Sequence, residues 1–141
     1  MTIVLILGCM SALWWGAMIV PGVGVSGHVL ITMSPIFVDW AHAPGYGVLA
    51  WLLIRGLQRR LWPHLHAVIV GSVAAFVFGL WTEILQGSVP GRYPSLEDLI
   101  VNAAGIATVA AMALLRMLPE RLPSDPRSGD ALPGVLGAGS R

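Results

Sequence analysis

Charge is scarce in this sequence. Only 11% of its 141 residues are charged, against about 25% in an average water-soluble domain. Lysine is absent, so all eight basic residues are arginine. There is no long basic run, and the aromatics sit inside apolar blocks, which excludes nucleic acid as a partner. The single cysteine, Cys9, excludes an internal disulfide framework. Cys9 lies in an apolar run and reads as a small buried hydrophobe. The first block holds neither Arg nor Lys and lacks a small-residue exit, the marks of a cleaved signal. Ile6-Leu7-Gly8-Cys9 resembles a lipoprotein box, but stands too near the start to follow an apolar core. This block is expected to be a retained helix.

What is present is apolar sequence in long runs. Hydrophobic residues make up 56% of the chain and mean hydropathy is +0.78. A membrane span needs roughly 20 predominantly apolar residues. Four blocks approach that, and helices are expected over residues 3–20, 39–57, 65–86 and 98–118. The expected fold is all-α, an integral membrane four-helix bundle with short loops, in one domain over residues 1–118. Beyond it, residues 119–141 are rich in Pro, Ser, Gly, Asp and Arg and read as a disordered cytoplasmic tail.

Punctuation supports these bounds. Pro21-Gly22-Val23-Gly24 stops the first helix. Residues 29–38 are apolar but too short to span, and suit a re-entrant or interfacial piece. Pro44, Gly45 and Gly47 predict a kink in the first turns of the second helix. Ser88 to Pro94 is a turn-rich loop. Ser95-Leu96-Glu97-Asp98 has the capping-box pattern that opens a helix.

Arginine sets the expected orientation, since positive loops stay cytoplasmic. Arg55, Arg59 and Arg60 put one loop inside. Arg116, Arg121 and Arg127 put the C-terminus inside, and the N-terminus follows. The two remaining loops face outward, with Arg92 as the one basic exception.

At about 1.5 Å per residue, three helices each carry a carboxylate at the outward end: Asp39, Glu83 and Asp98. Helical spacing adds neighbours on the same faces: His42 and Tyr46 with Asp39, Gln86 with Glu83, Asn102 and Gly105 with Asp98. Polar groups facing lipid are unfavourable, so these stripes are expected to face one another. Each residue also has a plainer reading. Asp39 and Asp98 suit helix N-termini as caps. Asn102 suits an interhelical hydrogen bond, Gly105 a close helix approach, Tyr46 an interfacial anchor and His42 a satisfied core histidine. Glu83 resists such a reading, because it sits at a helix C-terminus, where the dipole disfavours an anion. It needs a cation or a proton, and Arg92, across a tight turn, is the nearest candidate in sequence.

Together these residues resemble the VanZ-like family. That pattern has an Asp, a His three later and a Tyr four after that, then Glu-x-x-Gln, Pro-Gly-Arg, an Asp and Asn-x-x-Gly. Here it reads Asp39, His42 and Tyr46; Glu83 and Gln86; Pro90-Gly91-Arg92; Ser95 and Asp98; Asn102 and Gly105. Trp40 departs from it, standing where many members have lysine, so any role of that lysine is lost. The resemblance implies a bacterial cell-envelope membrane protein. The family takes its name from an accessory protein of glycopeptide-resistance clusters.

Two classes of function fit. In the first, an outward site binds or alters a membrane lipid or a lipid-linked peptidoglycan precursor. Asp39, His42, Glu83 and Asp98 supply acid–base groups, and Arg92, Tyr46, Gln86 and Asn102 hold the substrate. In the second, a non-catalytic module binds a glycopeptide, a lipid or a partner protein, and the polar cluster is structural. No cofactor is implied. A metal would find oxygen and nitrogen ligands here, but no His-x-x-x-His or cysteine pair marks such a site.

Overall fold

The long apolar blocks form helices, and turn residues separate them. The computed structural model describes residues 1–34 and 40–117. Over these residues the chain is all-α, with five helices and no strand. They are α1 (Thr2–Ala17), α2 (Gly24–Thr32), α3 (His42–Gln58), α4 (His64–Gln86) and α5 (Leu96–Leu115). The expectations for Asp39 and for residues 119–141 fall outside the described residues.

The helix bounds follow local chemistry. α1 ends at Ala17 rather than at residue 20, and Val20, the residue preceding Pro21, is itself disfavoured in the α region. Of the apolar 29–38 stretch, residues 35–38 fall outside the described residues, and its start belongs to a short helix over Gly24–Thr32. Its nine residues span about 14 Å, too little to cross a bilayer. Pro44 falls in the first turn of α3, where its missing N–H leaves no helical hydrogen bond unmade. Ser95 caps α5, its side chain accepting from the backbone N–H groups of Glu97 and Asp98.

α3 is the centre of the packing. It contacts α5, α4 and α1, and α4 contacts α5 and α1 in turn. Tyr46, Leu49, Ala50, Ala75 and Ile106 form the core, with Cys9, Leu13, Phe78 and Val109 among the residues against it. Small residues allow the helices to close. A Cβ on Gly105 would collide with the Ala43 carbonyl oxygen, which is backbone and cannot turn aside.

Side chains mark the two ends. At one, Arg59 Nη1 donates to Thr2 Oγ1 at 2.7 Å and His64 Nε2 donates to the Ala113 carbonyl at 3.1 Å. The C-terminal end of α3 therefore meets the start of α1, and the start of α4 meets the end of α5. At the other end, Arg92 reaches the Ala17 carbonyl at 2.9 Å and the Ser95 backbone N–H reaches Glu83. The four longer helices thus alternate in direction.

The outer surface is apolar. On α4 alone, Ile69, Val73, Val77 and Ile84 are each more than half exposed. Two helices among the described residues, α4 and α5, are long and apolar enough to cross a membrane. Only 33% and 11% of their most apolar stretches are buried within the protein, whereas the core helix of a soluble protein is mostly buried.

Candidate functional site

Glu83 lies in the last turn of α4 and is buried. Its own helix dipole opposes a negative charge there. The compensation comes from α5, because Glu83 Oε1 accepts the backbone N–H of Ser95, the N-cap of that helix. In a capping box this N–H would go to the third helical side chain. Here a carboxylate from the neighbouring helix takes it, and the positive end of α5 faces the negative charge.

The expected direct pairing of Glu83 with Arg92 is corrected by the structure. Among the described residues neither makes an ion pair. Gln86 stands between them. In the amide orientation that satisfies both neighbours, its nitrogen donates to Glu83 Oε2 at 3.1 Å and its oxygen accepts from Arg92 Nη1 at 3.3 Å. Arg92 Nη1 also donates to the carbonyls of Ala17 and Gly16, at 2.9 and 3.3 Å. These carbonyls end α1, where unsatisfied acceptors and the helix dipole favour a cation. The loop between α4 and α5 thus folds so that Ser95 covers the carboxylate and Arg92 reaches back to α1. A positive φ of 78° at Gly91 makes that turn, a conformation open to glycine without strain.

Deeper in the bundle, the Tyr46 hydroxyl bonds Thr82 Oγ1. Thr82 gives its single proton to the Gly79 carbonyl at 2.9 Å, so Tyr46 is the donor to Thr82. The His42 ring meets Tyr46 edge-on, with centroids 6.5 Å apart. Asn102 is 1% exposed, and its Oδ1 has no hydrogen-bond partner among the described residues.

A cavity of about 250 Å³ joins these groups. Its polar wall is His42, Tyr46, Thr82, Glu83, Gln86, Arg92 and Asn102. Its apolar wall comes largely from α1, through Ala12, Leu13, Ala17 and neighbours. The sequence-expected residues His42, Tyr46, Glu83, Gln86, Arg92 and Asn102 thus share one space. Asp98 does not line it, but lies in the first turn of α5 beside Ser95. Asp39 is outside the described residues. Among the described residues no three His, Cys, Asp or Glu side chains are grouped to hold a metal.

Sequence reasoning missed Thr82, the Ser95 backbone N–H and the terminal carbonyls of α1. Thr82 had a usable signal, since it lies four residues before Gln86 and so shares its helix face. Backbone groups carry no such mark. In comparisons with known proteins, no family model, no curated protein and no solved structure matched this chain.

Proposed function

We propose that this chain is an integral membrane protein of the VanZ-like kind, with α1, α3, α4 and α5 crossing the bilayer and both termini in the cytoplasm. Its cavity is an outward-facing site that binds or modifies a cell-envelope lipid or a lipid-linked peptidoglycan precursor. The observation that carries this reading is the concentration of polar side chains in one cavity, at one end of a bundle whose sides are apolar. The opposite end holds Arg55, Arg59, Arg60 and Arg116, which favours the cytoplasmic side for that end. Within the cavity Arg92 suits an anionic head group, while His42 and Glu83 are acid–base groups within the same space.

A second reading has its own support. Glu83, Gln86 and Arg92 tie α4 to α5 and α1 through hydrogen bonds within the protein. A non-catalytic module, in which this network holds the bundle together, accounts for them equally. Native mass spectrometry of protein released from its own membrane separates the readings. The binding reading expects a retained envelope lipid that Arg92→Gln loses while the protein stays folded. The structural reading expects no specific lipid on either protein. An unfilled wild type would overturn the first.

A further inference from the structure

Two donor and acceptor features of the cavity remain after the internal network is accounted for, and they point to opposite chemistry. The first is cationic. Arg92 spends Nη1 on the Gly16 and Ala17 carbonyls and on Gln86. No hydrogen bond among the described residues falls on its Nε or Nη2. Carbonyl acceptors do not cancel a full positive charge. The remaining edge of the guanidinium has the two parallel N–H groups that bind a phosphate bidentately.

The second feature is an acceptor. Asn102 lines the same cavity, and its Oδ1 is buried and finds no partner among the described residues. Buried acceptors in native proteins are paired as a rule. A bare phosphate offers Asn102 nothing, since its oxygens are themselves acceptors. A hydroxyl does, because it has a proton to donate. Glu83 does not stand against an anion at Arg92. Its two oxygens are turned to Ser95 and Gln86, and the Gln86 amide separates it from the guanidinium.

Size limits the ligand further. At roughly 30 Å³ per water molecule in the liquid, the cavity of about 250 Å³ has room for a small head group and not for acyl chains.

We propose that the cavity takes a phosphodiester head group bearing a free hydroxyl, with the phosphate on Arg92 and the hydroxyl donating to Asn102 Oδ1. This rests on reading the cavity as a lipid site and adds the class of head group. A glycerol- or sugar-bearing phospholipid meets the description, and so does its free, deacylated head group.

The test uses the full chain in detergent micelles, with lipid retention read by native mass spectrometry. Phosphatidylglycerol is set against phosphatidylmethanol with the same acyl chains. Both carry one phosphodiester charge, and only the first has hydroxyls. The wild type should favour phosphatidylglycerol about tenfold, the scale of one well-placed hydrogen bond in a buried site. Asn102→Ala should bring the ratio close to one. Arg92→Gln should weaken both lipids together. The wild-type ratio needs no variant to fold and is decisive by itself. Equal retention of the two anionic lipids, lost together in Arg92→Gln, would overturn the hydroxyl and leave an anionic lipid site standing. Retention of neither above phosphatidylcholine would overturn the lipid site as well. Competition by glycerophosphoglycerol supports the proposal and assigns the site to the free head group. Its failure to compete, with the tenfold preference intact, supports the proposal and assigns the site to the lipid.

Discussion

The carboxylate of Glu83, at the last turn of α4, accepts the backbone N–H of Ser95, the residue that caps α5. One helix thus supplies the anion that the next helix's N-terminus favours. This contact closes the loop between them beside the cavity that Glu83 lines. It also explains how an acidic residue sits at a helix end whose own dipole disfavours it.

Glu83→Ala should therefore destabilise the fold by about 1–3 kcal/mol, because it leaves a half-buried backbone donor without its acceptor. Glu83→Gln should lose less, since an amide oxygen still accepts from Ser95. Denaturation in mixed micelles, followed by circular dichroism, measures both. Equal loss in the two variants would show that charge, not the acceptor, matters at this position.

Much of this end of the molecule was legible in the sequence. The i, i+3 spacing of Glu83 with Gln86 and the i, i+4 spacing of His42 with Tyr46 put each pair on one helix face, and the cavity holds all four. The Ser95 cap also follows from local pattern. The partner of Glu83 did not. Proximity in sequence favoured Arg92, but the turn through Gly91 sends that side chain to α1, some 75 residues away in the chain. Its acceptors are backbone carbonyls, which every residue carries, so no residue type marks them. The bounds of the short helix after α1 were not legible, because uniform apolar character gives no register, and positive φ at Gly22 and Gly24 flanks its start.

Arg92 acts at the C-terminal end of α1 as well as in the cavity. Arg92→Gln should destabilise the protein by about 1–2 kcal/mol, the range for a cation bonded to helix-end carbonyls. Arg92→Lys should recover only part of that, because an ammonium lacks the planar fork that reaches α1 while leaving an edge free. The same denaturation series tests it. Full recovery by lysine would contradict the geometry.

Tyr46 and Thr82 form an ordered pair in which Tyr46 donates and Thr82 passes its proton to Gly79. Tyr46→Phe removes one hydrogen bond and leaves Thr82 bonded, a loss of about 0.5–1.5 kcal/mol. Thr82→Val strands the buried Tyr46 hydroxyl and should destabilise more. Reversal of this order in a stability measurement would contradict the assigned donor.

The crossing of α3 and α5 depends on Gly105. Gly105→Ala should destabilise by about 1–3 kcal/mol through overpacking, since the added methyl meets the Ala43 carbonyl. Gly8→Ala on α1 meets nothing within 4 Å, so the helix propensity of alanine should make it neutral or stabilising. Unfolding of the two variants side by side checks the crossing, and similar behaviour would argue against it.

The central claim is that the polar cavity opens on the outer face of the membrane, opposite the arginine-rich end. In a Cys9→Ala background, Ala41→Cys places a thiol at the cavity wall, and Leu61→Cys places one on the loop beyond Arg60, where Leu61 is 93% exposed. Intact cells are treated with a membrane-impermeant maleimide and labelling is read by mass shift. The account predicts that Ala41→Cys is labelled in intact cells and Leu61→Cys only after permeabilisation. Labelling of Leu61→Cys in intact cells, with Ala41→Cys protected until permeabilisation, would contradict it.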